Sequence, residues 1–392
     1  MAPGLKFSYG PAGRPSIASG RDIEQAITAL YLPVVPLVPL FGHTALRARL
    51  ADAVARGALP ASLLLLGPRG IGKQQLALWL ARTLLCESVT PTGACGECKA
   101  CRMTAELRHP DLHWFFPRPR LKDSDPSSEE VREDLADAIA VRLKAGGLYE
   151  APGGDEGIFI STVAAVVHAA SMSPAMGRRK VFVIGDAERM VPQEGSEQAA
   201  NAFLKLLEEP LPDTSIILTS SEPGALLPTI RSRVVGARVA PLADAEMRAF
   251  IAEPRVADHL DLPSGEELEE LIRLAGGAPG RLVDRESWSV AMRTANRILD
   301  AATSADRGRQ MRVALGAGSA GARGKFSDAL EALTVVLHDR ARSAATRGDE
   351  TGARSAAHAV DAVEQAKEMA SRNVSPQLLT ASLIREIGGQ VS

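Results

Sequence analysis

The chain has 392 residues, with 45 Lys and Arg against 47 Asp and Glu, 45% hydrophobic residues and 4% aromatic ones. At roughly 100–200 residues per domain, that length suits two or three domains, and the apolar share excludes wholesale disorder. Near-neutral charge gives no global field toward nucleic acid or anionic membrane, so contact with DNA would need a local basic patch or a partner.

Residues 1–36 fit no recognisable pattern and read as an N-terminal extension: disordered, carrying an added helix around Asp22 to Leu30, or a mis-assigned start. They contain no basic stretch followed by an apolar core and a cleavage site. The apolar run from Ala29 to Phe41 is broken by Pro33, Pro36 and Pro39, and is shorter than the roughly 20 residues of a membrane helix. The expectation is a soluble, cytoplasmic protein with no membrane contact.

From residue 37 to 242, short apolar runs alternate with amphipathic stretches, which predicts a parallel α/β sheet with helices on both faces. Ser62 to Leu66 reads as a buried strand. Gly67, Gly70, Gly72 and Lys73 follow, and then an amphipathic helix from about Gln74 to Leu85. The pattern G-x4-G-K is the core of a Walker A loop, in which backbone N–H groups and a helix N-terminus cradle phosphates and the lysine reaches the terminal ones. The residue after the lysine should be Ser or Thr, whose hydroxyl binds Mg²⁺, but here it is Gln74.

All four cysteines fall next: Cys86, Cys95, Cys98 and Cys101, spaced C-x8-C-x2-C-x2-C. Two residues between thiolates let one tight turn aim both sulfurs at a common point, with Gly93 and Gly96 supplying backbone freedom. Four thiolates close a tetrahedral shell around zinc and leave no position for water, so the module, residues 86–101, reads as structural. The alternatives are two disulfides, disfavoured in a cytosolic chain, or four unrelated thiols.

Pro117 to Gly157 is a Pro-, Asp- and Glu-rich insertion. Its front half reads as a loop, and Ser127 to Lys144 as an exposed helix capped by Ser and Glu, with a solvated charged surface expected throughout. Val181 to Ile184 is the strand where a Walker B acidic pair should follow, but Gly185 and Asp186 stand there instead. If Gly185 takes the metal-binding position its carboxylate is absent; if Asp186 does, the next acid, Glu188, is two residues on. Either way the Mg²⁺ site is weakened or absent, although the loop would still be able to hold the phosphates of ATP.

With these motifs in order, the chain resembles the clamp-loader ATPases of the AAA+ superfamily, and most closely their delta-prime branch. The segments that carry the likeness are "LFGHTALRARLADAVARGALPASLLLLGPRG", the cysteine module, "HPDLHWF" and "SEQAANAFLKLLEEPLPDTSIILTSSEPGALLPTIRSRV". The likeness spans roughly residues 37–390. It implies a P-loop AAA+ module with an inserted zinc module, a helical lid over 243–285 and a helical collar over 286–392. It also implies roles for single residues. Ser196 to Glu209 would be a helix and Ser215 to Leu218 a strand closed by Thr219, the sensor-one residue, and Ser220. Ser232-Arg233 stands where the family has Ser-Arg-Cys, with Val234 in place of the cysteine, so Arg233 would be offered in trans to the γ-phosphate on a neighbouring subunit, where a planar guanidinium stabilises developing charge. Within "GGAPGRLVD", Arg281 would be the sensor-two arginine, its alternative being a helix-start arginine facing solvent.

Three functions follow. The first is a largely non-hydrolysing subunit that completes a hetero-oligomeric ring with delta and gamma/tau type subunits, reaching the sliding clamp and primed DNA through the assembly. The second is an ATP-hydrolysing motor of gamma/tau type, against which Gln74 and Gly185 speak. The third is a zinc-dependent nucleic-acid binding module, but "CGECKACRMT" lacks stacking aromatics and offers only Lys99 and Arg102 nearby.

Overall fold

The computed structural model describes residues 37–123, 126–150, 156–190, 197–318, 323–371 and 374–391. The N-terminal extension and its expected helix lie outside the described residues, as does Ser196.

Five strands form one sheet, β1 (Ser62–Leu66), β2 (Leu112–Phe115), β3 (Lys180–Ile184), β4 (Thr214–Ser220) and β5 (Val235–Arg238). They run in the order β2-β3-β4-β1-β5, and every pairing is parallel. Successive residues of a strand face opposite sides of the sheet, yet every residue of β3 and β4 is buried, so both faces are covered. The sequences explain this: "VFVI" and "IIL" are continuous apolar runs rather than alternating ones, and the β4 residues around the second run are small hydroxyl residues. Lys180 is the one charged residue of β3 and β4, buried at the start of β3. Its ammonium donates to the carbonyls of Ala170, at 2.5 Å, and Met172, which closes the end of a helix.

Helices α1 (Thr44–Ala55), α2 (Lys73–Leu85), α3 (Lys99–Ala105), α4 (Ser128–Lys144), α5 (Ile160–Ser171), α6 (Glu197–Glu208) and α7 (Pro228–Arg231) surround the sheet. The register pairs Leu66 with Ser220 and Ile184 with Leu218. The loops leaving β1, β3 and β4 therefore meet at the carboxyl edge of the sheet, where parallel α/β folds build their sites.

The insertion keeps the expected exposed, charged face but buries one side of its helix. Arg118 and Gly157 exchange backbone hydrogen bonds of 3.0 Å, so the excursion starts and ends at one point. Its helix α4 does begin on a Ser127–Glu130 capping box, as the sequence suggests. Yet Val131, Leu135 and Ala138 lie in the main core, Asp134 pairs with Arg118 at 2.8 Å, and the Arg142 guanidinium lies 3.4 Å from the Phe116 ring centre and 3.8 Å from that of Tyr149. Those residues recur on one helical face, and the abundant surface charge masks that stripe in the sequence.

Beyond β5 the described chain is helical: α8 (Asp244–Ala252), α9 (Pro254–His259), α10 (Glu266–Ala275) and α11 (Gly280–Val283), then α12 (Arg285–Ala302), α13 (Arg307–Leu315), α14 (Arg323–Thr346), α15 (Glu350–Ser371) and α16 (Pro376–Val391). Helices α8–α11 share a core with Val38 and Leu148, which reach in from the α/β part. Helices α12–α16 build a separate core in which alanines alternate with Leu, Ile and Val, so that helix axes approach closely.

Candidate functional site

The turn after β1 needs its glycines. Gly70 and Gly72 have φ of 81° and 89°, which L-residues rarely adopt, and Gly72 leads directly into α2. Lys73 folds back into the loop it follows. Its ammonium donates to the carbonyls of Gly67, at 2.9 Å, and Pro68, at 2.8 Å, and to the Ser221 hydroxyl, at 2.8 Å. An ammonium has three donors, and all three are taken by the chain itself. Burial lowers the Lys73 pKa, while Asp186 and Glu188 nearby act in the opposite sense.

Beside it, the position of the metal-binding hydroxyl holds an amide bonded on both sides. The Gln74 Nε2 donates to Asp186 Oδ2 at 2.9 Å, and its Oε1 accepts from the Trp114 indole at 3.0 Å. A Cβ at residue 185 would overlap all three atoms of the Gln74 amide. Gln74 and Gly185 are thus one arrangement: the amide fills the space that a side chain after β3 would need. Asp186, at the left-handed φ of 48°, donates its N–H to the Thr219 hydroxyl at 3.0 Å. Glu188 is half-buried beneath, with its Oε2 shielded from solvent; its Oε1 accepts from the Ser221 N–H at 2.9 Å, and its Oε2 has no partner among the described residues. Burial and then the Asp186 charge push the Glu188 carboxyl up to about 7. Of the two Walker B alternatives, Asp186 is the acid that meets Gln74, and it is engaged with the amide rather than paired with a second carboxylate.

A cavity of about 180 Å³ borders this loop, lined also by Val38, Phe41, Phe250 and Trp288, with the Phe41 and Phe250 rings edge-on to each other at 5.7 Å. Helix α11 closes directly on the loop: Gly280 N–H donates to the Gly70 carbonyl at 2.8 Å, and a Cβ on Gly280 would come within 2.7 Å of the Gly70 Cα. Arg281 does not face solvent. It is 7% exposed, stacks 4.0 Å over Trp288, and donates to the Ala275 carbonyl at 3.0 Å and to Glu331 at 3.2 Å.

The four cysteines converge. Their sulfurs lie within 4.8 Å of one another, close to the edge of about 3.8 Å that Zn–S bonds of about 2.3 Å impose on a tetrahedron. The N–H groups of Cys95, Cys98 and Cys101 donate to the sulfurs of Cys86, Cys95 and Cys98 in turn. All four are free thiols, which sets aside the disulfide alternative, and the donor set fits zinc. Gly93, at φ 117°, lies against the Trp79 ring, which seats the module on the outer side of α2.

Arg233 is away from this cavity. It follows α7 on the surface, pairs with Glu208 and donates to the Thr229 carbonyl at 2.7 Å. Among the described residues no helix is long and apolar enough to cross a membrane.

The family described as "DNA polymerase III, delta subunit" matches residues 42–243, just over half of the chain. The chain belongs to this family. Its relatives place it with the delta-prime subunits of the clamp loader: it is 36% identical over 222 residues to the DNA polymerase III subunit delta' of Pseudomonas aeruginosa, covering 55% of this chain and 52% of that one. It is also 29% identical over 254 residues to the gamma/tau subunit of Mycobacterium bovis, covering 64% of this chain and 37% of that one. The chain thus spans about half the length of the delta-prime relative it matches, and less of the gamma/tau one. Among solved structures, a gamma subunit-related protein of Thermotoga maritima is 15% identical with a TM-score of 0.36, over 88% of this chain and 100% of that one; a likeness so faint carries no functional weight.

The structure brings together Gly70, Gly72, Lys73 and Arg281 around one cavity and links Thr219 to it through Asp186, while Arg233 and the cysteines stand apart. Sequence reasoning missed Ser221, Trp114, Arg69, Asp328 and Glu331. Ser221 had a signal, since a hydroxyl just past β4 borders the phosphate loop. Trp114 lay in view within "HPDLHWF", but its partner is 40 residues away.

Proposed function

We propose that this chain is a largely non-hydrolysing clamp-loader subunit of delta-prime type. It would complete a ring with delta and gamma/tau type subunits and offer Arg233 to the ATP bound by a neighbour. The ring would load the sliding clamp onto primed DNA, with residues 243–285 as its lid and 286–392 as its collar. Zinc on the four cysteines would be structural. The observation that carries the reading is the Gln74 amide, hydrogen-bonded to Asp186 and Trp114 over a glycine that has no room for a side chain. Mg²⁺ demands near-octahedral oxygen ligands at about 2.0–2.1 Å; position 74 offers no hydroxyl, and its amide already occupies one oxygen of Asp186, which weakens a metal site there. Arg233 suits its part because its contacts, to Glu208, the Thr229 carbonyl and the Ser232 hydroxyl, are ones that a neighbour's phosphate can displace.

The test is ATP binding and turnover by the purified chain with Mg²⁺, beside Lys73→Ala. No turnover is expected. Turnover that Lys73→Ala abolishes would instead make the chain a motor of gamma/tau type, the reading that the gamma/tau likeness favours. In the reconstituted assembly, Arg233→Ala should slow hydrolysis at the adjacent site by roughly 10³-fold or more; unchanged hydrolysis would remove the finger.

A further inference from the structure

The cations that border the cavity are answered from within the chain by a helix that belongs to a different core. Helix α14 lies in the C-terminal bundle, yet its first turns reach the phosphate loop. Asp328 and Glu331 are three residues apart and share one helical face. The Arg69 Nη1 reaches both oxygens of Asp328 at 2.8 Å, so the middle of the phosphate loop is tied to α14. Glu331 takes Arg281 at 3.2 Å with one oxygen and Lys367 of α15 at 2.9 Å with the other. With Lys73 already donating to loop carbonyls and to Ser221, every cationic side chain lining the cavity has an internal acceptor.

Charge points the same way. Three cationic side chains line the cavity against four carboxylates, Asp186, Asp284, Asp328 and Glu331. A polyphosphate entering there meets a net negative surface, and each arginine it would use is already in a partly buried pair, which solvent screens less than an exposed one. The backbone repeats the tie, since Gly280 donates to Gly70 beside Arg69.

We propose that Asp328 and Glu331 form an acidic clasp that stands in for an anionic ligand: it holds Arg69 and Arg281, binds the C-terminal bundle to the phosphate loop, and keeps the cavity closed to polyphosphates. The clasp is distinct from the Gln74 arrangement. Gln74 removes the metal, whereas the clasp removes the anion's own partners. It rests on the phosphate-loop reading of the cavity, not on hydrolysis.

The experiment uses the full chain in EDTA, with inorganic tripolyphosphate and ATP titrated by calorimetry. The native chain is expected to give no binding at millimolar ligand. Asp328→Asn with Glu331→Gln should bind both at least tenfold more tightly, and adding Lys73→Ala should cancel that gain. Hydrogen exchange of the amides at 67–73 and 280–283 should quicken about tenfold in the double variant. The single Asp328→Asn leaves Glu331 on its partners, and it should show a smaller gain if the double variant does not fold. The exchange Arg69→Asp with Asp328→Arg restores a pair and should return slow exchange without binding. A folded clasp variant that neither gains binding nor exchanges faster overturns the proposal, as does a native chain that binds tripolyphosphate as tightly as the variant. Hydrolysis seen only with Mg²⁺ would strike the non-hydrolysing reading and leave these metal-free results standing.

Discussion

Helix α2 carries a metal-ligand pattern at each end, and the two ends differ in what satisfies them. At the N-terminal end, Gln74 has an acceptor in Asp186 and a donor in Trp114, so the group that replaces the metal-binding hydroxyl closes its own network. At the C-terminal end, Cys86 caps the helix and its sulfur converges with three others, helped only by weak backbone N–H donors. Hydrogen bonds split that cluster without filling it: N–H donation from Cys98 and Glu97 draws the Cys95 thiol down to about 6, while burial pushes Cys101 up to about 12. A hard oxygen site for Mg²⁺ can be replaced by an amide, because an amide hydrogen-bonds to the same carboxylate. Four converging thiolates have no such substitute, since no side chain can accept their combined negative charge as zinc does.

The largest break in this comparison should come at the cysteine end. The native chain should carry one tightly held zinc by elemental analysis, and Cys101→Ser should lose it together with several kcal/mol of stability, read by thermal unfolding, because the metal's binding energy is folding energy. Less than half an equivalent of zinc in the native chain would end the contrast. Next is the helix that joins the two ends: Leu80, fully buried in the main core, is expected to cost about 2–5 kcal/mol on change to Ala by denaturant titration.

At the Gln74 end the effects are smaller but more diagnostic. Gly185→Ala drives a methyl into the Gln74 amide and should cost about 1–3 kcal/mol. Gln74→Ser should cost about 1–3 kcal/mol by leaving the buried Trp114 indole N–H unpaired. Combined, the two should cost clearly less than their sum, with a coupling of about 0.5–3 kcal/mol in a double-mutant cycle; simple additivity would mean that the two positions are not one arrangement. The smallest effect concerns pH. The Glu188 carboxyl is held at about 7 against 4.5 for an unperturbed one, so the folded chain keeps its proton where the unfolded chain has lost it. Its contribution is fully present below about 4.5 and is lost as pH rises through 7. Stability measured for the native chain and for Glu188→Gln should diverge over that window, with the native chain declining relative to the variant; a constant difference would refute the buried protonated acid.

Much of the architecture was legible from local pattern. The apolar runs at β1, β3 and β4, the glycine turn before α2 and the Ser127–Glu130 box each specify structure through neighbours in sequence, because a buried parallel strand and a helix start have their own chemistry. The charge of the insertion specifies its solvated face but not its buried one, because burial there depends on which face of α4 packs on the core, and Arg142 reads as a surface residue although Phe116 and Tyr149 surround it. Arg281 likewise reads as facing either a nucleotide or solvent, and the structure gives it to Glu331 and Trp288.

By itself, then, the sequence determined the ligand types and their spacing: a phosphate loop with Gln74 after its lysine, a glycine where an acid should stand, and four cysteines close enough in chain to share one metal. Spacing decides these because turns and helix starts are short-range objects. Only the tertiary structure decided what each group does in place of its expected ligand. That Gln74 fills the space over Gly185, that Lys73 is spent on its own loop and that α14 brings two carboxylates to the arginines all depend on side chains from distant segments meeting, which burial and pairing select and no local pattern encodes.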